Sequence, residues 1–324
     1  MEKKNLRIVF MGTPEFAVGS LQRLVENGYN VVAVVTQPDK PVGRHGSVLR
    51  PSPVKEYALA HGLPVLQPLK MKDEHFLDEL RSYNADLQVV VAFRMLPEVV
   101  WAMPRFGTFN VHAALLPDYR GAAPINWAVI NGETLTGVTT FFLDHDIDTG
   151  RIIAQRQFSI PDDADVEYVY DALMQLGAQL CTDTVDLVLS TDGNAPSQPQ
   201  QDSDAHHAAP KIFKETCAID FSLPAKRIYD FVRGLSPAPG AWCLLTPRDA
   251  NAPAQVLKIY KTAKTGESSN GVEVGTLKAE NRRLFVATVD EWLEIVELQP
   301  AGKKRMAARD YLNGFQHPEH FLLK

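Results

Sequence analysis

LRIVFMGTPEFAVGSLQRLVENGYNVVAVVT, residues 6–36, reads as strand, helix and second strand. The runs at 6–11 and 31–36 are dense in β-branched and apolar residues, as suits strands buried on both faces. Between them Gly12-Thr13-Pro14 supplies a turn, a hydroxyl able to cap a helix and a proline suited to its first turn. Phe16, Ala17, Leu21, Leu24 and Val25 recur at helical spacing, and Gly28 closes the helix. Working outward, similar runs at 87–92, 107–112 and 138–143 are separated by amphipathic stretches. That is the pattern of βαβ units, and it predicts an α/β, Rossmann-like, mostly parallel sheet over residues 1–190. STDGNAPSQPQQDSDAHHAAP, 190–210, lacks apolar periodicity and predicts a surface linker over 191–209. Residues 210–324 then offer a helix at 224–233 and strands near 241–246, 255–260, 273–278, 283–289 and 292–298, the content of a small OB-like β-barrel.

At 324 residues, 45% hydrophobic and 22% charged, the chain exceeds one small core, so two domains are expected. No apolar run approaches the ~20 residues that span a bilayer, and the charged start MEKKNLRIVFMG lacks a small-residue cleavage site. A cytoplasmic protein with no membrane partner is expected. Cys181, Cys217 and Cys243 lie far apart without CxxC pairing, which predicts reduced thiols with neither a disulfide framework nor a zinc cage. The net charge of -6 argues against a whole-surface attraction to nucleic acid but leaves room for local basic patches.

The chemistry-bearing segment is GTFNVHAALLPDYRGAAPINW, 107–127. Asn110 and His112 stand two apart at the end of a strand-like run, so their side chains share one face while Val111 points the other way. Open parallel sheets bind ligands at carboxyl strand ends, and here the chain passes into a Pro- and Gly-punctuated loop, 115–121. After the next run, LDHDIDTG (143–150) brings Asp144, Asp146 and Asp148, and a carboxylate from this loop is placed to reach His112. A calcium loop counted from Asp144 needs Gly sixth and Glu twelfth, where this chain has Thr149 and Gln155, so no metal is expected. An amide, an imidazole and a carboxylate suit transfer of an acyl or formyl group to an amine: donors stabilise the developing oxyanion and a base takes the proton of the attacking nitrogen. With no Ser or Cys nucleophile in the pattern, direct transfer is expected. Taken singly, Asn110 and His112 read as satisfied core polar groups, Asp144 and Asp146 as turn caps, and His206 and His207 as a solvated pair. MGTPEF lacks G-x-G-x-x-G, so a turn lining the pocket is expected there and not a dinucleotide site.

These residues resemble the methionyl-tRNA formyltransferases, and over the first domain the wider folate-dependent formyltransferases that include glycinamide ribonucleotide formyltransferase. The likeness runs in order through FMGTPEFA, TQPDKPVGR, PSPVK, NVHAALLPDYRGAAPINW, DIDTG and LQPAGKKRMAARDYLNG. It implies a formyltransferase catalytic domain at 1–190, a linker at 191–209 and an OB-like tRNA-binding domain at 210–324. It further implies 10-formyltetrahydrofolate as co-substrate, no metal, methionyl-initiator tRNA as acceptor, and a monomer. The residues alone leave the choice among the three aspartates open. By the resemblance, the catalytic positions fall on Asn110, His112 and Asp148, and the folate-binding ones on Phe93, Arg94, Met95, Ala114, Leu115, Leu116 and Pro117. Two departures stand out: Ala114 replaces the serine common in the folate loop, and 92–97 is shorter than usual, with Arg94 where glycine is common.

The resemblance also implies that the loop 36–55, with Lys40, Arg44, His45, Arg50 and Lys55, approaches the acceptor stem, Arg44 foremost. In the second domain Lys258, Lys261, Lys264, Lys303, Lys304, Arg305 and Arg309 offer a phosphate-tracking face, with Lys303, Lys304 and Arg305 expected to bind tRNA. A rival reading is a folate-dependent formyltransferase acting on an amino sugar nucleotide, which shares the catalytic segment. Another is a noncatalytic RNA-binding protein, against which His112 and Asp148 both count.

Overall fold

Strand β1 (Arg7–Gly12), helix α1 (Glu15–Glu26) and strand β2 (Asn30–Val35) realise the opening pattern in a computed structural model that describes residues 2–42, 48–201, 207–249 and 252–324. Helix α1 buries Phe16, Ala17, Ser20, Leu21 and Leu24, and Gly28 closes it at φ +75°. Its N-cap is Pro14, without a side-chain bond, and the Thr13 hydroxyl is buried with no partner among the described residues, so the threonine does not cap the helix there.

Two units divide the chain. One comprises Met1–Pro124, Leu135–Ser159 and Tyr170–Ala209; the other comprises Ile125–Thr134, Ile160–Val169 and Pro210–Lys324. After β2 come β3 (Lys40–Val42), β4 (Val48–Arg50), α2 (Pro53–Ala60), β5 (Val65–Leu66), α3 (Glu74–Ser82), β6 (Leu87–Val91), α4 (Glu98–Trp101) and β7 (Thr108–His112). They are followed by β8 (Arg120–Gly121), α5 (Pro124–Ile130), β9 (Leu135–Phe142), β10 (Ile152–Ser159), α6 (Val166–Ser190) and β11 (Ala208–Ala209). The main sheet has the order β10-β9-β7-β6-β1-β2-β5. All of β6 is buried, and Phe10, Phe109 and Phe141 are fully enclosed, each stabilising the core by roughly 1.5–3 kcal/mol. β5, β2, β1, β6 and β7 are parallel, whereas β9 runs antiparallel to β7 and β10 to β9. The run at 138–143 therefore belongs to an antiparallel edge and not to a further βαβ unit. β10, with its burial mostly intermediate or exposed, lacks the apolar density that marks the inner strands.

The second unit holds α7 (Ala225–Gly234), β12 (Ala241–Pro247), β13 (Gln255–Ser268), β14 (Leu277–Glu280), β15 (Arg283–Ala287), β16 (Glu291–Pro300), β17 (Met306–Ala307), α8 (Ala308–Tyr311) and β18 (Phe321–Leu323). Its sheet order is β14-β15-β16-β13-β12-β18, and a bridge from Thr276 to Leu322 brings the two edges together, giving a nearly closed antiparallel OB-like barrel. Gly275 sits at this seam with φ +84°, where a Cβ would overlap the Leu323 carbonyl oxygen. Ile228 and Val232 of α7 join Leu257, Ile259, Leu284, Val286, Leu293 and Ile295 in its core. Among the described residues no helix is long and apolar enough to cross a membrane.

Candidate active site

The alternation of β7 sets the site. Val111 turns toward α6, its Cγ1 3.3 Å from where a Cβ on Gly177 would stand, and Asn110 and His112 face the other way. His112 is buried, with Nε2 2.8 Å from the Tyr119 carbonyl oxygen. A carbonyl only accepts, so Nε2 carries a hydrogen and Nδ1 is the ring nitrogen left for proton exchange. Nδ1 lies 3.7 Å from Asp148 Oδ2, and that oxygen accepts from the Gly121 N–H at 2.9 Å. Asp148 has φ +56°, a left-handed conformation that its surroundings stabilise against a strain of about 1 kcal/mol. Asn110 is half-buried, and among the described residues its amide has no hydrogen-bond partner.

Asp148 reaches His112 by a route the sequence did not suggest. In the antiparallel pairing Thr139 lies opposite His112 and Phe142 opposite Phe109, so the chain leaves β9 beside the start of β7 and doubles back through 143–151. Asp144 stays in that loop as a turn acceptor, taking the Thr149 hydroxyl at 2.7 Å and the Asp146 N–H at 3.3 Å.

The loop Ala114–Pro117 is fastened from beneath. Thr139 Oγ1 donates to the Ala114 carbonyl at 2.7 Å and accepts from Leu116 N–H at 3.1 Å and Gln155 Nε2 at 3.0 Å. Gln155 also donates to the Leu116 carbonyl at 2.8 Å. Ala114 and Leu116 are buried, Leu115 and Pro117 half-buried, and Ala114 contributes only a methyl group. In the other expected folate segment Met95 is exposed, while Phe93 and Arg94 are half-buried. The Arg94 guanidinium donates from Nη1 to the Leu69 carbonyl at 3.1 Å and from Nη2 to the Pro68 carbonyl, and burial pushes it below the usual arginine range. Arg94 therefore braces a neighbouring turn, and its buried Nε has no partner among the described residues.

Of the expected cationic groups, Arg44 and His45 lie outside the described residues. Lys40 and Arg50 are exposed on the β3–β4 ribbon, but Lys55 is paired with Asp39 at 2.7 Å, which also holds the Asp39 carboxyl below its ordinary range. Lys303 and Lys304 are exposed; Arg305 is bound to Glu297 and lies 4.5 Å over the Tyr260 ring. Among the described residues one group, His317, Glu319 and His320, sets three ligand atoms within 4.8 Å of one another; all three are exposed, and His317 already bonds Glu319 at 3.2 Å.

Sequence reasoning missed Thr139, Gln155 and Tyr119. The available signal was the pair of threonines in TGVTTFF, polar residues in a strand otherwise built for burial. Tyr119 acts through its carbonyl, which no side-chain pattern reveals.

Comparisons with known proteins identify the family. The family described as "Formyl transferase" matches residues 6–185, and "Formyl transferase, C-terminal domain" matches 211–316. The chain is 61% identical over 321 residues to the methionyl-tRNA formyltransferase of Parabacteroides distasonis, covering 98% of each. It is 58% identical to that of Phocaeicola vulgatus, again covering 98% of each. Among solved structures, WlaRD, a sugar 3N-formyl transferase with dTDP and 5-N-formyl-THF, superposes with TM-score 0.63 at 19% identity, covering 92% of this chain and 99% of that one. HypX from Aquifex aeolicus in complex with tetrahydrofolic acid gives TM-score 0.61 at 18% identity over 95% of this chain, which spans 47% of HypX. These two likenesses carry the fold alone. The sequence relatives carry more: by family match and by identity along nearly its whole length, the chain belongs to the methionyl-tRNA formyltransferases.

Proposed function

We propose that the protein transfers the formyl group of 10-formyltetrahydrofolate to the free amino group of methionyl-initiator tRNA by direct attack, supplying the initiator for translation. The observation that carries this reading is the meeting of His112 Nδ1 with the Asp148 carboxylate at 3.7 Å, beside an Asn110 amide on the same strand face. The folate supplies an activated formyl carbon and a nitrogen that leaves.

The residues present fit such a co-substrate. Phe93 to Leu96 make no main-chain hydrogen bonds among the described residues, leaving donors and acceptors for a flat heteroaromatic edge. Opposite requirements are met by Ala114–Pro117, whose shape is fixed by Thr139 and Gln155.

In this reading the Asn110 amide donates to the oxygen on which negative charge develops. The Nε2–H of His112 is committed to Tyr119, so the ring acts through Nδ1. Together Nδ1 and Asp148 take the proton from the attacking nitrogen and return one to the leaving nitrogen, so the reaction consumes none overall. Lys303, Lys304 and Arg305, with Arg44 beyond the described residues, are the proposed tRNA-binding groups, within a division into a catalytic domain 1–190, linker 191–209 and tRNA-binding domain 210–324.

The test is a rate assay with both substrates. His112→Ala should lower kcat by about 10²- to 10⁴-fold with little change in tRNA affinity. Near-parental turnover would remove His112 from its role, and activity confined to an amino sugar nucleotide would refute the acceptor.

A further inference from the structure

We propose that Gln200 is a positioning residue for the transfer, holding the Asp148 turn in place against His112; the proposal rests on the catalytic reading above. Gln200 is half-buried in the segment between α6 and β11. Its Nε2 donates to two main-chain carbonyls of one turn, Asp148 at 2.7 Å and Gly150 at 2.8 Å. Its Oε1 accepts from Arg120 Nε at 3.0 Å and Nη2 at 2.7 Å. One side-chain amide thus spends its full donor and acceptor capacity between the two stretches that define the acid. Residues 120–121 supply the N–H that grips the carboxylate, and residues 148–150 supply the carboxylate itself.

The segment carrying Gln200 is well anchored. Gln198 and Ile152 exchange both main-chain bonds at 2.8 Å. Beyond it, β11 pairs with Arg120–Gly121, and the Ala209 carbonyl accepts from Ala122 at 2.7 Å and Ala123 at 3.1 Å. Gly121 has φ +128°, and a Cβ there would stand 2.5 Å from the Ala209 oxygen, so the approach requires glycine. The Tyr119 N–H donates to the His207 carbonyl at 2.6 Å, which steadies the residue whose own carbonyl holds His112. A stretch with the composition of a surface connection therefore braces the site.

Position matters because Asp148 sits in the left-handed region at φ +56°, and at 3.7 Å its carboxylate stands just beyond hydrogen-bond reach of the ring. Releasing its carbonyl lets the turn shift, and a displacement near 1 Å in a reacting group costs about 10²-fold in rate. A glutamate at 200 would keep an acceptor for Arg120 but turn a second oxygen toward the two carbonyls, which themselves only accept.

The test compares steady-state kinetics of Gln200→Ala, Gln200→Glu, Asp148→Asn and the Gln200→Ala/Asp148→Asn double variant, with thermal unfolding of each. Both Gln200 variants should lose about 10- to 100-fold in kcat, with KM for folate and tRNA within about twofold of parental. On the Asp148→Asn background, Gln200→Ala should lower kcat no further, because the amide acts through that carboxylate. A drop in unfolding temperature with kcat preserved, or a kcat loss that multiplies in full on Asp148→Asn, overturns the proposal. A crippled Asp148→Asn beside a fully active Gln200→Ala sinks this proposal alone; a fully active Asp148→Asn sinks the catalytic reading and this proposal with it.

Discussion

Replacing Thr139 by valine tests whether the loop that follows β7 is held from below. Thr139 is fully buried, and its hydroxyl is a three-way node joining the Ala114 carbonyl, the Leu116 N–H and the Gln155 amide. Valine keeps the branched shape and removes only the oxygen. Gln155 retains the Leu116 carbonyl, but the Leu116 N–H and Ala114 carbonyl are deprived of the hydroxyl in a buried setting. At about 1–3 kcal/mol for each orphaned buried group, the expected destabilisation is roughly 2–6 kcal/mol, the lower half being favoured if the loop relaxes toward water. Relaxation moves Ala114–Pro117, so KM for the folate should rise about tenfold while KM for tRNA stays within about twofold. Urea titration and two-substrate kinetics read both effects, and Thr139→Ser, which restores the hydroxyl, should recover most of each. A stability change under about 0.5 kcal/mol with an unaltered folate KM would show that the node does not shape the loop.

Asn110→Ala should reduce kcat by about 10²- to 10³-fold and Asn110→Asp by at least as much, since a carboxylate opposes the charge that an amide stabilises; an aspartate variant with parental kcat would remove the oxyanion role. Cys181, Cys217 and Cys243 are buried, and burial pushes the Cys181 thiol up to about 12 and the other two upward, so a thiol reagent at neutral pH should label all three only on unfolding. Because the folded thiol binds its proton more tightly than the unfolded one, the stability Cys181 contributes is present below the unfolded value of 9.0 and disappears as pH rises toward about 12; stability flat across that window contradicts the assignment. Lys303→Ala with Lys304→Ala should weaken tRNA binding and flatten its logarithmic salt dependence by about 1 for each phosphate interaction removed, whereas an unchanged slope would take both lysines off the tRNA path. Arg305→Ala should matter less than either lysine change, because Glu297 already neutralises it.

Much of the fold is legible in the sequence because burial writes itself into periodicity. β1, α1, β2, β6 and β7 fall within a residue or so of the expected runs, and α7 begins and ends one residue from its predicted bounds. Orientation is not legible, since alternation does not distinguish a parallel neighbour from an antiparallel one, and β9 reads like one more parallel strand although it is antiparallel. β10 and the second half of β13 escape a sequence reading because their exposed, polar faces resemble loops. In the site, Asn110 and His112 stand out through their spacing, whereas residue type does not separate Asp148 from Asp144. What separates them is backbone: Asp148 turns left-handed against the Gly121 N–H, while Asp144 caps its own loop. Arg44 remains outside the described residues.

The commitment of His112 Nε2 to a main-chain carbonyl constrains the chemistry more than the presence of the imidazole does. An unrestrained histidine has two nitrogens to offer and can exchange roles between them. Here the Tyr119 carbonyl accepts from one, and Tyr119 itself is held by its N–H to His207 and by a ring stacked 5.4 Å from the His207 ring. In the proposed mechanism proton exchange is thereby restricted to the nitrogen that faces Asp148, and a proton gained at Nδ1 meets a carboxylate whose other partner is the N–H of Gly121. Charge created on the ring is met at short range in a setting that excludes much of the solvent, where Coulombic attraction is strongest. In the proposed mechanism the arrangement separates two tasks that a freer imidazole would have to share: Asn110 is left to the developing oxyanion, and the His112–Asp148 pair to the proton.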